Sequence, residues 1–206
     1  MSGRRLAVLV SGGGRSLENL AEVIARGELA AELALVVSDR DGIGALERAA
    51  RLDVPQRVVP WSKGLGVAAF SEQVFEAVEA ADCDLVVLAG FLRLLAIPPA
   101  WNGRVLNVHP SLLPAFGGKG FWGHHVHEAV VARGVEFTGC TVHFVDDRYD
   151  EGPIILQRVV RVAPTDDPDA VAAKVFEEEK RALPEAIRRV LDGTSTPNAP
   201  RPARGE

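Results

Sequence analysis

The sequence predicts an α/β fold: a doubly wound, mostly parallel sheet with helices on both faces and an antiparallel hairpin at its C-terminal end. Two observations support this prediction. Short, unbroken apolar runs alternate with segments of helical period in the first half of the chain, as expected for parallel strands that are covered on both faces. In the second half, two strand-like runs lie too close together in the chain for a parallel crossover.

The segments of the first half follow a strand–helix order. The predicted strands are residues 6–10, 33–38, 56–59 and 85–89, and the predicted helices begin near Ser16 and cover 43–52 and 70–81. Each helix carries its apolar residues at spacings of three and four, which places them on one face. This alternation is typical of a doubly wound sheet.

The second half has a different pattern. Its predicted elements are a strand over 104–108, a helix over 127–133, strands over 139–145 and 154–162, and a helix that follows Asp167-Pro168 and ends near Leu191. The turn between the last two strands contains Asp150, Gly152 and Pro153. We expect residues 1–192 to form one domain, and residues 193–206, which have no apolar period, to form a flexible C-terminal tail.

Composition excludes several classes of protein. The chain has 206 residues, 47% of them hydrophobic, and a net charge of −5, with no cluster of basic residues to bind nucleic acid. No apolar run is long enough for a membrane helix, and the first predicted strand leaves no room for a signal peptide. Cys83 and Cys140 lie in apolar runs and indicate buried thiols in a reducing compartment. We therefore expect a soluble cytoplasmic protein without a metal site.

A glycine-rich loop, Ser11-Gly12-Gly13-Gly14-Arg15-Ser16, separates the first strand from the first helix. Backbone N–H groups at such a helix start bind anions, and one phosphate suits this short loop. It is not a dinucleotide fingerprint, because Leu17 stands where a third glycine is needed. A tight turn without a ligand is the alternative. Asp39, after the second strand, could imitate a ribose-binding acid, but a capping or turn role is the favoured interpretation.

The segment 89–95 follows the fourth strand, at the edge where open parallel sheets bind ligands. Its apolar side chains could form a wall for a flat heterocycle while its backbone binds the heterocycle's edge. A hydrophobic loop that packs under the C-terminal strands explains the same residues equally well.

The segment Asn107-Val108-His109-Pro110-Ser111-Leu112-Leu113-Pro114, with Asp150 some forty residues later, is the most informative part of the chain. Asn107 and His109 are two residues apart, so on a strand they point to the same side. An amide, an imidazole and a carboxylate can together stabilise an oxyanion and move a proton. The alternative is that His109 has a structural role, as most single histidines near strand ends do.

The remaining titratable residues carry weaker signals. His124, His125 and His127 lie close together, but no cysteine or acidic residue has the spacing of a metal ligand. His143 alternates with Val142 and Phe144 on a strand and is interpreted as structural. The three acids 177–179 span most of a helical turn, so one of them could point inward.

Taken together, these motifs resemble the phosphoribosylglycinamide formyltransferase family, over about residues 5–190. The resemblance is carried by residues 10–17, 88–93, 106–114, 141–145 and 150–154. It implies a formyltransferase-like variant of the Rossmann fold, with 10-formyltetrahydrofolate as co-substrate and no metal. The reaction that it implies is transfer of the formyl group to the amine of 5-phosphoribosylglycinamide, in de novo purine biosynthesis.

The resemblance also implies roles for individual residues. The implied catalytic residues are Asn107, His109 and Asp150. The residues implied to bind the phosphate and ribose of the ribosylglycinamide are Gly14, Arg15, Ser16 and Glu179. The residues implied to bind the folate are Leu92, Arg93, Leu94, Leu95, Asn107, Val145 and Asp146. This chain has Gly-Arg-Ser where many relatives have Gly-Ser-Asn. The resemblance places Val67 where relatives have a basic residue for the folate, so no residue is assigned there. It further implies a cis peptide bond at Leu113-Pro114 and a reshaped pocket rim at 116–125.

In the implied reaction, Asn107 and a protonated His109 stabilise the oxyanion, and Asp150 is expected to raise the pKa of His109 and to relay a proton. The implied partners are small molecules, with no nucleic acid and no membrane, and the chain is expected to be a monomer or homodimer. Rival interpretations are a methionyl-tRNA formyltransferase, a formyltetrahydrofolate hydrolase, a dinucleotide-dependent oxidoreductase and a non-catalytic binding module. The first two would be expected to carry an additional domain, and the third leaves Asn107, His109 and Asp150 without a role.

Overall fold

The computed structural model describes residues 3–197, which contain seven strands in one sheet. The strands are β1 (Arg4–Val10), β2 (Ala31–Ser38), β3 (Gln56–Val58), β4 (Leu85–Leu88), β5 (Val105–His109), β6 (Phe137–Phe144) and β7 (Ile154–Arg161). Their order is β3-β2-β1-β4-β5-β6-β7. β1 to β5 pair in parallel, whereas β6 is antiparallel to β5 and β7 is antiparallel to β6. The predicted fold class is confirmed, including the C-terminal hairpin.

Helices cover both faces of the sheet. They are α1 (Arg15–Ala25), α2 (Gly44–Arg51), α3 (Gly66–Ala80), α4 (His124–Arg133) and α5 (Pro168–Leu191). Alternate residues of β1 enter two separate cores: Leu6 and Val8 pack with α1, α2, α4 and α5, whereas Ala7 and Leu9 pack with α3. Because both faces are buried, β1 must be apolar throughout, as its sequence is.

Two helices begin earlier than their apolar pattern predicts. α3 begins at Gly66 instead of Phe70, and α4 begins at His124 instead of His127. Neither has a side chain that caps its first turn by a hydrogen bond, so the local sequence contains no start signal. α5 begins as predicted, since the side chain of Asp167 accepts a hydrogen bond from the Ala170 N–H at 2.8 Å.

The end of the chain packs against the fold as far as it is described. The N–H groups of Thr194 and Ser195 donate to the carbonyl of Arg189, and Pro197 lies beside Gly103. The rest of the expected flexible tail, residues 198–206, lies outside the described residues. Within residues 3–197, no helix combines the length and the apolar character needed to span a bilayer.

Candidate active site

A cleft of about 570 Å³ opens at the carboxyl ends of β4 and β5. Its lining combines the loop after β4, the end of β5, the glycine-rich segment before α4, and β6 with the turn that follows it. An open α/β sheet places its ligand crevice at this edge. All the residues predicted to contact folate, as well as the predicted catalytic residues, line this cleft.

The structure brings Asn107, His109 and Asp150 together. Asn107 and His109 lie on β5, and Asp150 lies in the turn between β6 and β7, where it has a positive φ of 58°. One oxygen of the Asp150 carboxylate is 3.4 Å from His109 Nδ1, and the other accepts a hydrogen bond from Asn107 Nδ2 at 3.3 Å. The N–H of Gly118 donates to the carboxylate at 2.9 Å. A buried carboxylate with these donors can remain ionised and act on the imidazole.

Burial sets the protonation of His109. Its side chain is 4% exposed, and its Nε2 lies 2.8 Å from the carbonyl oxygen of Phe116, which can only accept, so Nε2 carries a proton. Desolvation lowers the pKa of His109, and the opposing effect of Asp150 is smaller. Asp150 does act in the predicted direction, but burial outweighs it, so the pKa of His109 is lowered overall. For Asp150, burial pushes the pKa upward, but the nearby rings of His143 and His109 and the Gly118 N–H hold it below its usual value.

His143 also contacts this cluster, which its interpretation as a structural residue did not predict. It lies directly opposite Asn107 in the antiparallel pairing of β5 and β6. Its Nδ1 is 2.8 Å from the carbonyl oxygen of Phe144, which leaves Nε2 to accept a hydrogen bond from Asn107 Nδ2 at 3.1 Å. The alternation with two apolar neighbours did indicate a side chain on the opposite face. What it could not show is that this face lines the cleft.

A hydrogen-bond network fixes the loop that follows His109. Thr141 on β6 donates to the carbonyl of Ser111 at 2.7 Å and accepts from the N–H of Leu113 at 3.0 Å. Gln157 on β7 donates to the carbonyl of Leu113 at 3.0 Å. The Leu113–Pro114 peptide bond is cis, as the resemblance implies. The antiparallel hairpin therefore supports the loop as well as supplying Asp150.

The glycine-rich loop lies at the N-terminus of α1, as predicted. Gly14 precedes the helix with φ 79°, and a Cβ there would lie 2.8 Å from the backbone of Ala45, so this position requires glycine. The guanidinium carbon of Arg15 is 3.6 Å from the centre of the Phe176 ring on α5. Glu179 lies one turn further along α5, close enough for the charge of Arg15 to affect its pKa. Burial raises the pKa of Glu179 to about 7, although Arg15 acts in the opposite direction.

The loop after β4 forms one wall of the cleft, and hydrogen bonds from its backbone to two serine side chains hold it in place. The N–H of Leu92 donates to the hydroxyl of Ser11, and the N–H of Ala96 donates to that of Ser71. Leu92, Arg93, Leu94 and Leu95 line the cleft, as do Val145 and Asp146.

Asp39 has neither of the roles considered for it. Its carboxylate is fully buried and accepts hydrogen bonds from Arg40 at 2.9 Å and from Arg93 at 2.6 Å. Burial alone would raise the pKa of Asp39, but the two guanidinium groups and Ser11 have the larger combined effect and hold this pKa below its usual value. The capping or turn interpretation is thus wrong, because the side chain instead fixes two cations at the edge of the cleft. One of these cations, Arg93, lies in another loop, so the local sequence does not reveal this contact.

The segment 116–125 forms part of the rim of the cleft through residues 118–123. Two of its aromatic side chains, Phe121 and Trp122, are exposed there. The neighbouring histidines do not form a metal centre: within residues 3–197 no three His, Cys, Asp or Glu side chains are placed to hold an ion. His127 is buried, its Nδ1 has no hydrogen-bond partner, and burial lowers its pKa to about 4.

Proteins of known function are similar to this chain in sequence. A chloroplastic phosphoribosylglycinamide formyltransferase from Vigna unguiculata is 36% identical over 92% of this chain and 61% of its own length. A trifunctional purine biosynthetic protein from Gallus gallus is 39% identical over 92% of this chain and 18% of its own length. The chain therefore spans about three fifths of the first protein and under a fifth of the second.

Solved structures of formyltransferases and a related deformylase have the same fold as this chain. Glycinamide ribonucleotide transformylase 1 from Symbiobacterium toebii is 37% identical, with a TM-score of 0.83 over 93% of this chain and 89% of that one. A formyltetrahydrofolate deformylase from Pseudomonas syringae is 28% identical, with a TM-score of 0.81 over 93% of this chain and 62% of its own. The family model described as formyl transferase matches residues 4–187. The chain belongs to the formyl transferase family.

Proposed function

We propose that this protein transfers the formyl group of 10-formyltetrahydrofolate to the primary amine of 5-phosphoribosylglycinamide. The products are formylglycinamide ribonucleotide and tetrahydrofolate, in purine biosynthesis. The observation that carries the proposal is the meeting of Asn107, His109 and Asp150 in a cleft whose wall, the loop after β4, is hydrogen-bonded to the glycine-rich loop before α1. The chain's similarity to a phosphoribosylglycinamide formyltransferase and to a glycinamide ribonucleotide transformylase supports it.

The phosphate and ribose would bind where α1 meets α5. Backbone N–H groups at Gly14, Arg15 and Ser16 point away from the start of the helix, where the helix dipole favours an anion. The Arg15 guanidinium, held against Phe176, adds a fixed positive charge. The charge of Arg15 acts on Glu179, whose carboxyl oxygens can accept hydrogen bonds from ribose hydroxyls.

The folate would bind between the loop after β4 and the turn after β6. Leu92, Leu94 and Leu95 give this part of the cleft an apolar wall, with Val145 and Asp146 also in its lining. Arg93, held by Asp39, places a positive charge beside that wall. A flat heterocycle with an acidic tail matches this combination of an apolar slot and fixed cations.

The chemistry follows from the three catalytic side chains. The neutral amine attacks the formyl carbon, a C–N bond forms, and the carbonyl electrons move onto oxygen as an oxyanion. Asn107 and protonated His109 stabilise that charge, each donor contributing about 3–4 kcal/mol. Burial keeps the free imidazole of His109 neutral near pH 7. The developing negative charge favours its protonation, so His109 takes up a proton from solvent as the oxyanion forms and returns it to solvent when the carbonyl re-forms.

Collapse of the intermediate requires a proton to move. The attacking nitrogen, now an ammonium, gives its proton through water to the Asp150 carboxylate, which remains ionised in the free protein. The proton then passes to the folate nitrogen as its bond to the formyl carbon breaks. The oxyanion electrons re-form the carbonyl of the new amide.

A direct assay tests the proposal. The protein is mixed with 5-phosphoribosylglycinamide and 10-formyltetrahydrofolate, and the change in folate absorbance is followed with and without the amine. We expect turnover that requires the amine. Turnover that does not depend on the amine would instead indicate a hydrolase, and no turnover would refute the transferase. Tight binding of a nicotinamide dinucleotide would favour an oxidoreductase.

We further propose that residues 1–192 form one catalytic domain, as a monomer or homodimer in the cytoplasm. The support for a reducing compartment is that Cys83 and Cys140 are free, buried thiols, with pKa values that burial raises to about 11 and about 12. The Vigna unguiculata relative is chloroplastic. Gel filtration with light scattering would determine the oligomeric state.

A further inference from the structure

Helix α5 contains a proline, Pro184, well inside its length. Proline has no backbone N–H, so the carbonyl of Lys180, four residues earlier, has no helical donor. The side chain of Asn19 on α1 supplies one: its Nδ2 donates to the carbonyl oxygen of Lys180 at 3.0 Å. Asn19 is 8% exposed, so this hydrogen bond is shielded from water.

This contact lies one helical turn from the proposed phosphate site. Asn19 follows Arg15 by four residues on α1, and Lys180 follows Phe176 by four residues on α5, so each pair shares a helix face. Arg15 packs against Phe176, and Asn19 bonds to Lys180. Two contacts in succession therefore align the first turns of α1 with the middle of α5.

We propose that Asn19 is a positioning residue for the phosphate and ribose of the substrate. Its bond to the Lys180 carbonyl holds the turn of α5 that carries Phe176 and Glu179 against the anion-binding start of α1. A carbonyl freed by proline would otherwise bond to water and let this turn of α5 move outward. The inference rests on the proposed function, since it concerns the nucleotide part of that same site.

The test is a double-mutant cycle with Pro184. Asn19→Ala removes the donor, and Asn19→Leu removes it while keeping a side chain of similar size and adding no charge. Both variants should raise the KM for 5-phosphoribosylglycinamide about tenfold, as expected for loss of one bond to a buried carbonyl, with little change in kcat or in the KM for 10-formyltetrahydrofolate. Pro184→Ala restores a backbone N–H for Lys180. In that background, Asn19→Ala should have little effect.

A matched control uses Arg188, which donates to the carbonyl of Glu28 at 2.8 Å and so links α5 to the segment after α1, with neither residue in the lining of the cleft. Arg188→Ala should leave both KM values unchanged. The inference fails if Asn19→Ala leaves the nucleotide KM unchanged, raises both KM values equally, or acts as strongly when residue 184 is alanine. If Asn19→Ala does not fold, comparing Pro184→Ala with the double variant answers the same question.

Two readouts separate this inference from the proposed function. Titration calorimetry with 5-phosphoribosylglycinamide gives the affinity of the wild type and of each variant without catalysis. A wild type that neither binds nor formylates the nucleotide refutes the proposed function. A wild type that does both, with variants that bind equally well, refutes only the role of Asn19.

Discussion

The two halves of the sheet build their parts of the cleft by different means. In the parallel half, β1 to β4, the proposed binding groups are largely backbone: the start of α1 at Gly14 and the loop after β4, whose N–H and carbonyl groups are fixed by Ser11 and Ser71. In the second half, β5 to β7, the proposed reacting groups are side chains. Asn107 and His109 come from β5, and Asp150 comes from the turn between β6 and β7.

Strand direction explains this difference. Parallel strands bring loops and helix starts to one edge, which suits backbone recognition of a phosphate or a heterocycle. Antiparallel pairing places side chains of neighbouring strands directly opposite each other, as it does Asn107 and His143. The hairpin turn then returns Asp150 to the same edge. In this fold, the parallel half would hold the substrates and the antiparallel half would perform the reaction.

The largest effect should come from the antiparallel half. Asp150→Asn keeps the shape of the side chain but removes the proton acceptor, so kcat should fall by about 10²- to 10⁴-fold. Affinity for 10-formyltetrahydrofolate, measured by fluorescence titration, should stay close to the wild-type value. A variant that turns over at the wild-type rate would remove Asp150 from the mechanism.

The next largest loss of activity should come from breaking the hydrogen bond between Asn107 on β5 and His143 on β6. His143→Ala removes one of the two acceptors that orient Asn107 Nδ2 and leaves only Asp150, so kcat should fall roughly 10- to 100-fold with small changes in either KM. His143→Gln offers an amide oxygen in place of Nε2 and should recover much of the loss. Equal kinetics for the two variants would argue against a role in orienting Asn107.

The halves should also differ in their sensitivity to acid. All five histidines lie between residues 109 and 143, and burial lowers the pKa of His127 to about 4. In the unfolded chain the pKa of a histidine is about 6.5, so between pH 4 and pH 6.5 the unfolded state binds more protons than the folded state. The free energy of unfolding is therefore unaffected by His127 above pH 6.5 and falls as the pH decreases towards 4. His127 should therefore cost about 2 kcal/mol of unfolding free energy between pH 7.5 and pH 5.

Urea unfolding at the two pH values measures this loss. His127→Leu should flatten the pH dependence, whereas His125→Leu, at an exposed neighbouring position, should not. Hydrogen exchange at pH 5 should show opening in α4 and β6 before β1 and β4. An unchanged slope in His127→Leu would assign the acid sensitivity to other groups.

The smallest effect is expected in the parallel half, where the backbone supplies much of the binding. Arg15→Leu should raise the KM for 5-phosphoribosylglycinamide about tenfold by removing one charge-assisted contact, with kcat nearly unchanged. Arg15→Lys should lie between the two, because it keeps the charge but not the planar stack on Phe176. A loss in kcat as large as that of Asp150→Asn would contradict the division of roles between the halves.

Sequence patterns predicted more of the fold than of the site. The apolar strands, the glycine loop and the hairpin each leave a local signal, and the structure contains all of them. The contributions of His143, Asp39 and Asn19 left no such signal. Each bonds to a residue between 36 and 161 positions away in the chain, so its partner is visible only in the folded molecule.

By itself, the sequence determined the order and type of the elements and the local chemistry of their loops, because helical and strand periods are properties of consecutive residues. It also placed Asn107 and His109 on one side of one strand. The tertiary structure alone decided the register that sets His143 against Asn107, and the sign of the His109 pKa shift. Both depend on what surrounds a side chain: pairing brings distant groups into contact, and burial removes the water that would stabilise the charged imidazole.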